Sequence, residues 1–210
     1  MMKTKGKNYA NRKPESERPE GDFYPTPSCM VEELINSQVS IFNSSVEGKV
    51  ICDPCCGKYA IGNVLRKKGF AEYNRFIETD LIYGNDYLEK DDNGNYKNLN
   101  HYDITIMNPP FKKFDEFVTK AKIQSDKVFC IGKPNFFGAH NRNINGLWEH
   151  LEYVLIFDRM IAFDKPETED GKVECGMIVS CFFVWDKDYD GLPQIKVLDM
   201  DKYIKRKDGR

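Results

Sequence analysis

Apolar and polar positions alternate in blocks along the chain, and short apolar runs are followed by stretches with helical spacing. The apolar runs predict strands over residues 49–52, 75–77, 102–107, 128–131, 153–157 and 177–185. Apolar positions with a period near 3.6 predict helices around residues 31–42, 61–65 and 114–121. Such alternation predicts an α/β protein with a mainly parallel sheet and helices on both faces.

Local signals set the expected element boundaries. Thr26 followed by Pro27 is typical of a helix start, with Thr26 as the N-cap and Pro27 in the first helical position. Gly69 is expected to end the second helix. The charged segment 164–176 predicts a loop. Because ligands of such sheets bind at the carboxyl ends of the strands, polar residues directly after strands are the candidates for function.

Composition bounds the organisation and the setting of the chain. Its 210 residues suit one domain, expected over 21–200, between a basic flexible arm at 1–20 and a polar tail at 201–210. Apolar residues make up 40% and charged residues 30%, which is typical of a soluble globular protein. The absence of a long apolar run and of a secretory signal, with seven cysteines, predicts no membrane partner and a cytoplasmic location.

The net charge does not indicate the partner, because −2 does not by itself point to nucleic acid. Any contact with DNA is therefore expected to depend on a local basic surface.

The segment Asn108-Pro109-Pro110-Phe111 directly follows the strand predicted at 102–107. An exocyclic amino nitrogen is a poor nucleophile until its lone pair is freed from the ring, and two hydrogen-bond acceptors on its N–H groups favour that change. The Asn108 side-chain oxygen and the Pro109 carbonyl can supply them, while the prolines stiffen the loop and add no competing N–H. Phe111 offers a flat face for a flipped base. The structural alternative is a rigid turn that ends a strand.

The segment Asp53-Pro54-Cys55-Cys56-Gly57 follows the first predicted strand. The first strand-to-helix turn of a doubly wound sheet cradles the cofactor, and glycine there lets the backbone approach closely. Asp53 suits the ammonium of a methionine moiety. A surface turn is one alternative. A metal site that includes Cys52 is the other, and it is disfavoured because no second Cys/His pair accompanies these cysteines.

Acidic residues follow the first strand-to-helix turn at a spacing that is typical of nucleotide-binding folds. Glu78 ends the second predicted strand and can accept hydrogen bonds from ribose hydroxyls, a role for which Asp80 competes. Asp86 can accept from an adenine amino group while Tyr87 packs against the ring. An ordinary exposed carboxylate and an Asx turn are the respective structural alternatives.

The segment Phe23-Tyr24-Pro25-Thr26-Pro27 precedes the first predicted helix. A helix N-terminus is a ready site for a carboxylate such as that of methionine. A plain helix start explains the same residues.

In order, these segments resemble the motifs of amino-group DNA methyltransferases of the gamma class. There the tenth motif comes first (Phe23 to Pro27), followed by the first (Asp53 to Gly57), the second and third (Glu78, Asp86) and the catalytic fourth (Asn108 to Phe111). The stretches 133–143 and 158–163 are similar to segments of small phage-type adenine methylases. The resemblance covers roughly residues 22–185.

This resemblance implies a Rossmann-like methyltransferase fold with a seven-stranded sheet, the cofactor S-adenosyl-L-methionine and methylation of adenine N6 in double-stranded DNA with the target base flipped. It implies Asn108, Pro109, Pro110 and Phe111 as catalytic residues and the following cofactor-binding residues: Phe23, Tyr24, Thr26, Pro27, Asp53, Pro54, Cys55, Gly57, Glu78, Asp86 and Tyr87. The biological role is left open among restriction–modification, phage self-protection and an orphan methylase.

Two departures from the family pattern stand out. Lys58-Tyr59 occupies the place of a second glycine or small residue after Gly57, so Tyr59 either crowds the methionine pocket or points away. Little length remains for target recognition, which leaves the loops 138–150 and 164–176, with Arg142 and Arg159 as candidate contacts to phosphate or base. Methylation of RNA adenine, cytosine N4 or protein glutamine, or an inactive binding module, are the alternative functions.

Overall fold

Strands and helices alternate through most of the chain, as the apolar pattern predicts. The computed structural model describes residues 24–37, 39, 47–163 and 165–205. In chain order the elements are α1 (Ser28–Asn36), β1 (Val50–Asp53), α2 (Ala60–Lys67), β2 (Arg75–Glu78), β3 (Tyr102–Met107), α3 (Phe114–Gln124), β4 (Ser125–Gly132), α4 (His140–Ile144), β5 (Leu151–Phe157), β6 (Cys181–Asp186) and β7 (Gln194–Leu198). No helix within these described ranges is long and apolar enough to cross a lipid bilayer.

The strands form one seven-stranded sheet in the order β2-β1-β3-β4-β6-β5-β7. All neighbours are parallel except that β6 runs antiparallel to both β4 and β5. The chain passes from β1 to β2 on one side of β1, then to β3 on the other side. This reversal creates a crevice at the carboxyl ends of β1 and β3, where doubly wound sheets bind ligands. The α/β, Rossmann-like expectation with seven strands is confirmed.

The central strands contribute side chains to two apolar clusters, one on each face of the sheet, because successive side chains of a strand point to opposite sides. In β4, Phe129 and Ile131 join an apolar cluster with α1 and α2. Val128 and Cys130 join a second cluster with α3. Strand β6 alternates in the same way, so the continuous apolar run that predicted it reflects burial on both faces.

The sheet differs from the predicted strands at its far side. The strand predicted over 177–185 begins only at Cys181, and Met177, Ile178 and Val179 precede it with exposed side chains. Strand β7 was not predicted. Its first four residues are exposed, but Ile195 and Val197 alternate with polar neighbours, and this period of two is the signal that could have revealed an edge strand.

The predicted start of α1 is wrong by one position. Pro27 has an extended ψ of 134° and is itself the N-cap, and no side chain of the N-cap residue closes the first turn. Instead the Glu167 carboxylate accepts hydrogen bonds from the Ser28 backbone N–H and, at 2.7 Å, from the Ser28 hydroxyl. A residue 139 positions away thus supplies the cap, which no local pattern could reveal.

The chain ends fall only partly within the described residues. Phe23 and the expected arm at 1–20 lie outside them, as does 206–210. Tyr203, placed in the polar tail on sequence grounds, accepts through its carbonyl from the Val173 N–H at 2.8 Å and packs against the core.

Candidate functional site

A cavity of about 580 Å³ opens at the carboxyl ends of β1 and β3, in the crevice created by the strand order. Its wall combines four segments that are far apart in sequence: residues 24–26, the turn after β1, residues 80–88 after β2 and the Asn108 loop after β3. Of the predicted cofactor residues, the cavity is lined by Tyr24, Thr26, Asp53, Pro54, Cys55, Gly57, Asp86 and Tyr87. The topology therefore brings together most of the candidates, as a site at this edge requires.

Asn108 is held in a defined orientation at the edge of this cavity. Its side-chain Nδ2 donates to the Tyr24 carbonyl at 3.1 Å, and its backbone N–H contacts the Cys55 sulfur. A carbonyl can only accept, so this contact assigns the NH₂ end of the amide to Tyr24 and leaves Oδ1 as a free acceptor. Within the described residues, no donor bonds to Oδ1 or to the Pro109 carbonyl. Asn108 Oδ1 thus remains an acceptor at the cavity wall, whereas Pro109, which carries the second expected acceptor, is buried and is not part of that wall.

Pro110 lines the cavity, whereas Pro109 and Phe111 do not. Pro109 is buried, and the Pro110 carbonyl accepts from the Lys113 N–H at 2.8 Å, which starts the short 3₁₀ turn 111–113. The Phe111 ring is half-buried. It contacts the Lys133 ammonium 4.2 Å from its centroid and the edge of Phe136 at 5.9 Å. Contacts from the segment that follows β4 therefore hold the ring in place.

The turn after β1 is cross-linked to the segment after β2. Gly57 has φ 52°, a left-handed conformation that favours glycine. Its N–H donates to Asp80 Oδ2 at 2.8 Å, and its carbonyl accepts from the Tyr83 hydroxyl at 2.9 Å. The Cys56 N–H also donates to the Thr79 carbonyl at 3.0 Å. These bonds hold the turn as a preformed cradle.

Asp53 is buried at the base of the cradle, with 3% of its surface exposed. Burial, aided by the nearby charges of Glu78 and Asp80, raises the pKa of Asp53 to about 8, although the Cys55 N–H at 3.2 Å opposes the shift. The carboxyl is therefore largely protonated at pH 7 and is ready to ionise beside a cation. Burial likewise raises the pKa of the Cys55 thiol. Among the described residues, no group of three Cys, His, Asp or Glu side chains could hold a metal ion.

Tyr59 points away from the cavity. It has φ 61°, so it keeps the left-handed conformation that a glycine would adopt at this position. Its ring stacks on Tyr83 with centroids 5.7 Å apart and an interplanar angle of 14°. The departure from the family pattern is accommodated outside the cradle, and the cavity wall passes from Lys58 to Ala60.

Glu78 ends β2 as expected but does not line the cavity. Its carboxylate pairs with the Arg66 guanidinium over Gly62, where an added Cβ would clash with Glu78 Oε1. Asp80 lines the cavity instead, while its carboxylate also accepts from the Gly57 and Ile82 N–H groups. The structure therefore favours Asp80 over Glu78 as the residue facing a ligand.

Lys120, which the sequence motifs did not indicate, anchors the segment that contains Asp86 and Tyr87. Lys120 is 1% exposed, and its Nζ donates to the carbonyls of Tyr87 and Lys97, both at 2.6 Å, and lies 4.6 Å from the Tyr87 ring centroid. Asp86 forms an Asx turn by accepting from the Leu88 N–H at 2.9 Å. A lysine on the apolar face of α3, three residues after Phe117, is the signal that could have revealed this anchor.

The residues before α1 divide between two openings. Tyr24 and Thr26 line the cavity, but Pro27 faces only a neighbouring groove. The first free N–H of α1, that of Ser28, already bonds to Glu167. The expectation that this helix end receives a ligand carboxylate is therefore not supported, because an internal carboxylate occupies it.

The two arginines proposed to contact DNA are both paired within the chain. Arg142 bonds to Asp115 at 2.6 Å and to the Phe136 carbonyl at 3.1 Å, and covers the Phe136 ring at 4.4 Å. Arg159 pairs with Asp201 at 3.0 Å. Arg142 thus braces the aromatic packing next to Phe111, and Arg159 fastens the segment after β7.

Comparisons with known proteins support the fold. No protein-family model matches the chain, and a search of curated proteins finds no match. Among solved structures, similarity extends to the methyltransferase subunit of a type I restriction–modification system from Streptococcus thermophilus (11% identity, TM-score 0.51, 86% of this chain and 47% of that one). Others are a predicted O-methyltransferase from Agrobacterium tumefaciens (13%, 0.47, 84% and 88%) and a protein assigned as an RNA methyltransferase from Pyrococcus horikoshii (22%, 0.44, 81% and 89%).

At these identities the similarity concerns the fold alone. The chain itself has a mainly parallel seven-stranded sheet with a cavity at the carboxyl ends of β1 and β3. The chain has the Rossmann-like fold of S-adenosylmethionine-dependent methyltransferases.

Proposed function

We propose that this protein is an S-adenosyl-L-methionine-dependent methyltransferase that modifies the exocyclic N6 amino group of adenine in DNA. The observation that carries the proposal is the contact of Asn108 at the cavity wall, where its amide nitrogen donates to the Tyr24 carbonyl and Oδ1 is left as an acceptor. A second acceptor, the Pro109 carbonyl, comes from the next residue. Such a pair suits an amino group that has two N–H bonds to donate.

The residues of the cavity fit the cofactor. When bound, S-adenosyl-L-methionine supplies an electrophilic methyl group on a sulfonium. Asp53 and Asp80 offer carboxyl groups for its cationic part, and Gly57 lets the backbone approach closely. Asp86 and Tyr87 line the wall where a nucleoside would be held. The buried Asp53 gains a charge partner in this arrangement, which favours its ionised form.

The catalytic loop acts by holding and polarising the target nitrogen. Hydrogen bonds from the amino group to Asn108 Oδ1 and the Pro109 carbonyl favour a tetrahedral nitrogen with its lone pair directed into the cavity. Phe111, fixed by Lys133 and Phe136, provides an aromatic face beside this point. The loop needs no reorganisation for this role, because Tyr24 already orients the amide.

The alternative of a binding module that has lost turnover rested on the Lys58-Tyr59 departure from the family pattern. Tyr59 stacks on Tyr83 outside the cavity, whereas Lys58 is part of the cavity wall. Other amino or amide acceptors, namely RNA adenine, cytosine N4 and protein glutamine, share the same acceptor chemistry and become outcomes of the test.

The test is transfer of tritium-labelled methyl from S-adenosyl-L-methionine to unmodified plasmid DNA, total RNA and a protein extract, followed by chromatography of the labelled nucleosides or amino acids. We expect label in N6-methyl-2′-deoxyadenosine from DNA, and none with Asn108→Ala. Label confined to RNA, to cytosine or to protein would contradict the proposed substrate. Absence of cofactor binding by calorimetry would remove the enzyme assignment.

A further inference from the structure

Three consecutive apolar side chains project from the surface just before β6. Met177, Ile178 and Val179 are 75%, 47% and 42% exposed, and Met160 beside them is 43% exposed. We call residues 177–179 the apolar arch. Exposed side chains of this kind in a row are uncommon on a soluble protein unless they meet a partner.

The arch is clamped at both ends. Before it, the Gly176 N–H donates to the Met160 carbonyl at 2.6 Å, and a Cβ on Gly176 would lie 2.5 Å from the Ile161 carbonyl oxygen. After it, the Ser180 carbonyl accepts from the Phe157 N–H at 3.2 Å, and β6 begins. The backbone is therefore fixed on both sides of the three side chains, which lowers the entropic cost of using them.

The arch stands on the same edge of the sheet as the catalytic loop. Met107 pairs with Cys130 in the β3–β4 register, so Pro109, two residues on, is level with Gly132. Gly132 in turn pairs with Cys181, the first residue after the arch and Ser180. Two strand spacings separate these positions, so the base of the arch lies about 10 Å from the catalytic loop.

We propose that the apolar arch inserts into duplex DNA at the target base pair and fills the space left by the flipped base; this inference rests on the proposed function. A target amino group inside a base pair cannot reach Asn108, so the base must leave the stack. Apolar wedges commonly occupy the opened step. Three side chains are too few for the core of a protein interface, which needs about 800 Å² per partner. The exposed Lys112 and Lys113, next to the catalytic loop, suit the flanking phosphates.

The test begins by mapping the methylated site by modified-base sequencing of plasmid DNA treated with the wild-type protein. Two duplex oligonucleotides are then built on that site, with the target adenine opposite either thymine or an abasic position. The variant combines Met177→Ser, Ile178→Ser and Val179→Ser. The matched control is Leu192→Ser with Ile195→Ser, because these residues are 88% and 68% exposed around the start of β7, away from the arch.

The arch variant is expected to lose about tenfold or more in kcat/KM on the paired duplex, because opening a base pair costs a few kcal/mol. On the abasic duplex it should remain within about twofold of wild type, and the control should match wild type on both. The single variant Met177→Ser is measured alongside, with thermal unfolding of each protein, in case the triple variant does not fold.

Equal loss on both duplexes, or no loss on either, would overturn the arch proposal while leaving DNA methylation intact. Failure of the wild-type protein to methylate any DNA would reject the proposed function and the arch proposal with it. These two failures are distinguishable, because the mapping step shows whether the wild-type protein methylates DNA before the oligonucleotides are made.

Discussion

The Asn108 side chain donates to the backbone carbonyl of Tyr24 across 84 residues of sequence. This bond joins the loop after β3 to the segment before α1, and it decides which end of the Asn108 amide meets a substrate. The acceptor that the proposed chemistry needs is therefore oriented by a residue outside the catalytic tetrapeptide.

Replacing Asn108 should abolish methyl transfer without unfolding the protein. For Asn108→Ala we expect a fall in kcat on the order of 100-fold or more, because one of two preorganised acceptors is lost. Asn108→Asp should also be impaired, since a carboxylate keeps an acceptor but cannot donate to Tyr24. Steady-state kinetics with calorimetry of cofactor binding measures both. Near-normal kcat in Asn108→Ala would contradict the mechanism.

Asp53→Asn should weaken cofactor binding and raise the free energy of unfolding. Folding raises the pKa of Asp53 from 3.8 to about 8. Below pH 3.8 the carboxyl is protonated in both the folded and the unfolded state and does not affect stability, whereas the free energy of unfolding falls as pH rises from 3.8 toward about 8. The variant should therefore be more stable than wild type by roughly 1–3 kcal/mol at pH 8, with little difference near pH 4. Denaturant unfolding across that range measures this. An equal effect at both pH values would show that burial of the charge is not the cause.

Tyr59→Gly should leave cofactor affinity within about twofold of wild type, because the ring lies outside the cavity. The loss of stacking and the relief of the left-handed backbone are each about 1 kcal/mol and oppose one another, so stability should change little. A large gain in affinity would mean that the tyrosine crowds the pocket after all. Isothermal calorimetry decides between these outcomes.

Substitutions of Asp80 and Glu78 should affect different properties, namely cofactor binding and stability. Asp80→Ala should weaken cofactor binding at least tenfold, because Asp80 lines the cavity and holds the Gly57 N–H. Glu78→Ala should act mainly on stability through the lost pairing with Arg66. Binding constants compared with unfolding free energies test the assignment, and the reverse pattern would restore Glu78 as the residue that contacts the ligand.

Glu167→Ala should destabilise the start of α1 by about 1 kcal/mol, because Ser28 loses the side-chain cap that Glu167 supplies. Glu169→Ala, an exposed neighbour in the same loop, is the matched control and should be neutral. Thermal unfolding measures both variants. Equal behaviour of the two would argue against the long-range cap.

The sequence by itself determined the alternation of strands and helices and most of the strand ends. This was possible because the central strands are largely buried and rich in apolar residues. Polar residues mark the ends of the first three strands: Asp53 and Glu78 are the last residues of β1 and β2, and Asn108 follows β3. Since parallel strands end at one edge, the chemistry after them could be assigned to a single site. Strand β7 was not predicted, because its residues alternate between polar and apolar and form no continuous apolar run.

Only the tertiary structure decided which candidates face the cavity and how they are held. Glu78 pairs with Arg66, and Glu167 caps the start of α1. Lys120 donates to the Tyr87 carbonyl, and the Tyr24 carbonyl accepts from Asn108. Each of these contacts joins residues distant in the chain. A local pattern records which face of an element is buried, but not which distant donor or acceptor meets it there.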